Sequence, residues 1–216
     1  MSIRIFICGD STAASYPPEK TLMTGWGQLL GDYLPETRVI NLAMAGRSTR
    51  TFLAENRLEP VEREAGPGDL VLIQFAHNDE NENKPERYAA PWTAYRENLA
   101  AFVRTAREKG AVPVLLTPIC MRIWQDGRLQ QTHGEYPAAM RSVAEAMQAP
   151  LIDMYTESFR IVETLGEEDS KALFMYTAAG GEQEDNAHMR RAGAERFAAY
   201  AARQIREKGL LPPDGE

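Results

Sequence analysis

The 216-residue sequence predicts an α/β protein with a parallel sheet buried on both faces. Three observations point there. Apolar runs of strand length recur along the chain, amphipathic segments of helix length fall between them, and two of the three long irregular stretches directly follow a strand.

Taken in order, strands are predicted at residues 3–8, 38–42, 69–75, 112–117 and 151–152, enough for a three-layer sandwich. Helices are predicted at 25–34, 91–109, 136–148 and 189–208, where apolar residues return at helical spacing. Leu99, Phe102, Val103 and Ala106 form the clearest stripe. Pro137 stands in a first helical turn, where its missing N–H costs nothing, and Gly110 and Gly209 follow the second and fourth helices as C-cap glycines do. Gly66-Pro67-Gly68-Asp69 marks the turn into the third strand. The irregular stretches are 76–90, 118–135 and 166–187. Ligands of open parallel sheets bind beyond the carboxyl ends of the strands, so the first two stretches lie where a substrate would.

No linker or shift of composition divides the chain, and one domain over residues 1–216 is expected. A net charge of −7 without a clustered Lys/Arg run matches nucleic acid poorly. No apolar stretch approaches the ~20 residues of a membrane helix. Met1-Ser2-Ile3-Arg4 leads into an apolar run too brief for a signal-peptide core. The expectation is a cytoplasmic protein that binds neither nucleic acid nor membrane; its oligomeric state is not written in the sequence. Cys8 and Cys120 lie at or just beyond strands one and four and are expected to be buried and free, with no disulfide and no zinc site.

The chemistry is concentrated in four short blocks. Gly9-Asp10-Ser11-Thr12 leaves the first strand, so that the Ser11 hydroxyl can stand at the carboxyl edge of the sheet near a helix N-terminus. In isolation such a serine more often caps a turn. Near the far end, Asp185-Asn186-Ala187-His188 supplies an imidazole and, three residues earlier, a carboxylate able to hold its tautomer. Asp153, at the end of strand five, is a competing acid. A triad in the order Ser, Asp, His belongs to α/β-hydrolases, which present the serine in a Gly-x-Ser-x-Gly elbow; Ser11 lacks that elbow, so Asp153 reads as a cap or supporting group. Gly46, in the run after strand two, and Asn78, after strand three, join the Ser11 N–H as three candidate donors to an oxyanion.

Gly9-Asp10-Ser11, Gly46, Ala76-His77-Asn78-Asp79 and Asp185-x-x-His188 resemble the four blocks of the SGNH (GDSL-type) hydrolase superfamily, with Ala76 where the family usually has glycine. Gly46-Arg47-Ser48-Thr49-Arg50, His77-Asn78-Asp79, Thr132-His133-Gly134-Glu135-Tyr136 and Glu184-Asp185-Asn186-Ala187-His188 narrow the likeness to the rhamnogalacturonan acetylesterase group. The resemblance implies a flavodoxin-like sandwich of strand order 2-1-3-4-5, in which strand three separates the two cysteines. It implies catalysis by Ser11, His188 and Asp185, an oxyanion hole of Ser11, Gly46 and Asn78, an acetylated carbohydrate as substrate, and no metal or cofactor.

Around this core, Arg47, Arg50 and Arg122 are candidates for uronate carboxylates, against the alternative of pairing with some of the chain's 31 acidic residues. Trp124 is a candidate to stack on a sugar face, whereas Trp26 and Trp92, in predicted helices, read as packing. His133 is either a substrate contact or a solvent-exposed loop residue, and His77 a packing or hydrogen-bonding one. The run Asp79-Glu80-Asn81-Glu82-Asn83 reads as a solvated loop. Other readings are an SGNH enzyme for lipid or thioester acyl chains, for which no long apolar lid is visible, a catalytically idle carbohydrate-binding protein, and a flavodoxin-like cofactor or signalling domain, for which no Gly-rich phosphate loop follows strand one.

Overall fold

The computed structural model describes residues 3–176 and 184–211. Its centre is a five-stranded parallel sheet made of β1 (Arg4–Gly9), β2 (Arg38–Asn41), β3 (Leu70–Gln74), β4 (Val112–Leu116) and β7 (Leu151–Ile152). The order β2-β1-β3-β4-β7 is the expected 2-1-3-4-5, with Ile5 opposite Val39 on one side and Leu70 on the other.

Why the sheet is covered on both faces follows from the two-residue period of a strand. Ile5, Ile7, Leu70, Leu72, Val114 and Leu116 point to one side, where Trp26 and Leu30 of α1 (Trp26–Tyr33) and Phe197, Ala201 and Ile205 of α7 (Arg191–Glu207) cover them. Phe6, Cys8, Val71, Ile73 and Leu115 point to the other. There they meet Phe52 of α2 (Thr49–Ala54), Val61 of α3 (Glu59–Glu64), Phe102 of α4 (Arg96–Glu108) and Met140 of α5 (Tyr136–Ala146). The rings of Phe52, Phe75 and Phe102 form a triangle with centroids 5.3–5.6 Å apart. Cys8 and Cys120 are buried, unbonded, and belong to opposite faces. Burial raises both thiols, that of Cys120 to about 12, which leaves them inert hydrophobes.

Several segments differ from the expectation. The helix predicted from residue 91 opens with a wide π turn over Pro91–Tyr95 before α4. Residues 118–135, expected to be irregular, contain the hairpin β5 (Trp124–Gln125) and β6 (Arg128–Leu129), whose Asp126-Gly127 corner has positive φ at both positions, as a tight I′ turn requires. A helix of 16 residues, α6 (Met154–Asp169), follows β7; it kinks at Gly166 and continues into a 3₁₀ turn over Ser170–Leu173. The irregular stretch expected at 166–187 therefore begins later, and residues 177–183 of it lie outside the described ones. Asp153 caps α6 as expected, accepting from the Thr156 N–H and pairing with Arg141 at 2.9 Å.

Candidate active site

Strand order places the site. β1 runs between β2 and β3, so the loops carrying Ser11, Gly46 and Asn78 emerge side by side at the carboxyl edge. Asp10, wholly buried, folds the first loop: its Oδ1 accepts from the Thr12 N–H at 2.9 Å and the Thr12 hydroxyl at 2.8 Å. Its carbonyl accepts from Ala13 and Ala14, and the Tyr16 hydroxyl donates to the Ser11 carbonyl at 2.8 Å. The start of α1 crosses close over this loop. A β-carbon on Gly25 would sit 2.1 Å from the Ala14 oxygen, so only glycine fits there.

His188 reaches Ser11 from the other end of the chain. Its Nε2 lies 2.9 Å from the Ser11 Oγ and its Nδ1 lies 2.7 Å from Asp185 Oδ2. The Asp185 carboxylate accepts N–H–O bonds at both oxygens, which fixes Nδ1 as the protonated nitrogen and leaves Nε2 to accept from the serine. Burial works against the Asp185 charge. The His188 ring, the His188 N–H and the Ala187 N–H outweigh it and hold the carboxyl at about 2. Neighbouring chain pins the segment, with Met175 N–H donating to the His188 carbonyl and Thr24 N–H to that of Met189, both at 2.9 Å.

The donors lie opposite. Gly46 has φ +77°, a left-handed conformation that a side chain would strain. Neither its N–H nor that of Ser11 donates to any acceptor among the described residues. Asn78 gives one amide hydrogen to the Arg47 carbonyl at 3.1 Å, and its Oδ1 accepts from Arg87 at 3.3 Å, so the second amide hydrogen is unengaged. Ser11, Gly46, Asn78 and His188 line one cleft of about 480 Å³ together with Tyr16, Met23, Met121 and Arg87. A second cavity of about 600 Å³ adjoins it across Met121, Ala187 and His188.

Behind the nucleophile lies a row of buried polar groups. His77 Nδ1 sits 3.4 Å from Asp10 Oδ2, within ion-pair range. Burial opposes charge on both, yet their mutual attraction raises the imidazole and lowers the carboxyl. His133 packs edge-on against His77 with centroids 4.3 Å apart. The structure corrects both readings of His133, because its ring is fully buried and bonded at 2.9 Å to Glu80 Oε2 and to the Ile119 carbonyl, away from substrate and solvent alike. Asp79 is likewise not solvated but wholly buried, and burial drives its carboxyl well above the usual range.

The expected cations fall away from the cleft. Arg47 pairs with Glu55 at 3.0 Å and Arg50 is exposed on α2. Arg122 is buried, donating to Ser170 Oγ, Asn186 Oδ1 and the Glu167 carbonyl, and lies 4.6 Å from the Tyr176 ring. It supports the loop between Asp185 and His188 instead of touching substrate. Trp124 packs its ring against the core beside α6. Trp26 is buried as expected, but Trp92 is 43% exposed, in a groove between α4 and α5 with Arg96 over its ring. Sequence reasoning missed Arg87, whose neighbours in the chain carry no motif.

Known proteins resemble the chain over nearly its whole length. Residues 7–196 match the family described as GDSL-like Lipase/Acylhydrolase. The chain is similar to two proteins of Bacillus subtilis (strain 168): rhamnogalacturonan acetylesterase RhgT, 38% identical over 96% of this chain and 91% of that one, and probable rhamnogalacturonan acetylesterase YesY, 37% identical over 97% and 95%. Among solved structures, the Bacillus subtilis protein YXIM superposes with a TM-score of 0.83 at 28% identity, covering 97% of this chain and 57% of that one.

Proposed function

The chain belongs to the GDSL-like lipase/acylhydrolase family, and from that membership we propose that it is a carbohydrate acetylesterase that removes O-acetyl groups from rhamnogalacturonan fragments through an acyl-serine. The observation that carries the proposal is the hydrogen-bonded row from Ser11 Oγ through His188 to Asp185, set beside the unengaged donors. The substrate class rests on relatives of that activity that match nearly the whole chain.

The chemistry runs as follows. His188 Nε2 takes the Ser11 proton as Oγ attacks the acetyl carbonyl carbon, while Asp185 holds the ring and stabilises its imidazolium form. The oxyanion meets the Ser11 and Gly46 N–H groups and the Asn78 amide. His188 then returns the proton to the departing sugar oxygen. A water deprotonated by His188 attacks the acetyl-serine, and collapse of the second intermediate gives acetate and reprotonates Ser11.

Acetate release from acetylated rhamnogalacturonan, acetylated xylan and a nitrophenyl acetate, with Ser11→Ala as blank, tests this. Release that depends on Ser11 and favours rhamnogalacturonan is expected. Preference for xylan, or release from the nitrophenyl ester alone, would overturn the substrate assignment.

A further inference from the structure

Among the described residues lining the catalytic cleft, Arg87 is the sole lysine or arginine. Its guanidinium spreads across Gly46: a β-carbon on that glycine would lie 3.5 Å from each terminal nitrogen. One terminal nitrogen donates to Asn78 Oδ1 at 3.3 Å, and the other has no hydrogen-bond acceptor among the described residues. The nearest carboxylate, Glu86, stands 3.8 Å from Nε and is 64% exposed, too distant and too well solvated to satisfy the fork. The Arg87 side chain is itself 31% exposed, so a solute in the cleft can reach it.

A guanidinium with free parallel donors, at the edge of an acidic protein's catalytic cleft, is suited to a planar carboxylate. Its position matters as much as its charge. An ester attacked by Ser11 would turn its carbonyl oxygen toward the Gly46 and Asn78 donors, and Arg87 lies against both of those residues on the wall of the same cleft. We infer that Arg87 is the specificity residue of the site, binding the carboxylate of an acetylated uronate so that the ester on the same ring meets Ser11. The inference rests on the function proposed above and names the group by which that substrate is chosen. The bond to Asn78 orients the guanidinium and also holds the amide with Nδ2 toward the oxyanion, so substrate binding and the oxyanion donor share one support.

The test compares acetylated rhamnogalacturonan oligosaccharides with the same oligosaccharides after their carboxyl groups have been reduced to primary alcohols. Wild type is expected to favour the acidic form in kcat/KM. Arg87→Gln keeps a polar amide at the position but removes the charge. It should lose about 10- to 100-fold on the acidic form, mainly in KM, and only severalfold on the reduced one. Arg87→Lys should recover part of the preference, and added salt should raise KM for the acidic form in wild type but not in Arg87→Gln. A wild-type preference that survives in Arg87→Gln would overturn the inference and leave the function standing. Equal losses in kcat on both forms would overturn it too, reducing Arg87 to a support for Asn78. A wild type that hydrolyses both forms equally would overturn the inference and leave the function standing, whereas one that hydrolyses neither would remove the function's substrate and the inference with it.

Discussion

Single atoms decide the chemistry at Asn78. Its amide is held at both ends, by the Arg47 carbonyl and by Arg87, so the free hydrogen has a fixed direction before substrate arrives. Preorganised donors of this kind act only on the charge that develops in the transition state. Asn78→Ala should therefore lower kcat by about 10²- to 10³-fold with little change in KM. Ser11→Ala should lose turnover entirely while keeping its thermal stability, since among the described residues the hydroxyl bonds only to His188. Steady-state kinetics on a soluble acetyl ester, with thermal melts as folding control, check both; retained turnover in Ser11→Ala would show that another nucleophile attacks.

At the scale of elements, the catalytic histidine depends on a side chain from a different loop. Arg122, just beyond β4, ties Asn186 to the end of α6 and the following 3₁₀ turn through Ser170 and the Glu167 carbonyl. Removing the fork strands these partners in a buried place. Arg122→Met should cost about 2–5 kcal/mol in urea unfolding and lower kcat through a loosened His188. Arg122→Lys should rescue little, because an ammonium cannot reach three acceptors in the plane of the guanidinium. Unchanged kcat in a destabilised Arg122→Met would make the clamp purely structural. This clamp also shows where the sequence stopped being legible. Strands with unbroken apolar runs, such as Leu70–Gln74, could be placed within one or two residues, as could the carboxyl end of a helix with a long stripe, such as α4. The blocks carrying Ser11, Gly46, Asn78 and His188 were readable because each is local. What a distant side chain touches is not local, and Arg122 and Arg87 gave no sign of their partners. Two misses did carry signals: Asp153 with Thr156 is the N-cap pattern that starts α6, and Asp126-Gly127 is a hairpin corner.

Across the whole molecule, the parallel topology gathers three donor loops onto adjacent strands at the carboxyl edge, and acids are buried or partly buried at both edges of the sheet, so stability must depend on pH with two opposing signs. Asp69 is held low, where bonds from Arg4 and Gly66 outweigh burial. Asp153 is held low by Thr156 and Arg141, and Asp185 lies at about 2. Each contributes stability that is present above the unfolded carboxyl value near pH 4 and is lost as pH falls through its native value. Asp79 works the other way. It is wholly buried, its Oδ1 accepts from the Thr49 N–H and hydroxyl, and its Oδ2 has no partner among the described residues. Burial keeps it protonated in the fold, so the native state holds a proton that the unfolded chain releases above about pH 4, and stability declines as pH rises from there through the raised native value. Asp79→Asn keeps the acceptor and removes the titration. It should leave Tm unchanged near pH 3.5 and raise it by about 2–8 °C at pH 7, flattening the neutral side of the Tm profile while the acid limb stays in place. A lower Tm for the variant at pH 7 would mean that Asp79 is ionised in the native state and that Thr49 stabilises its charge.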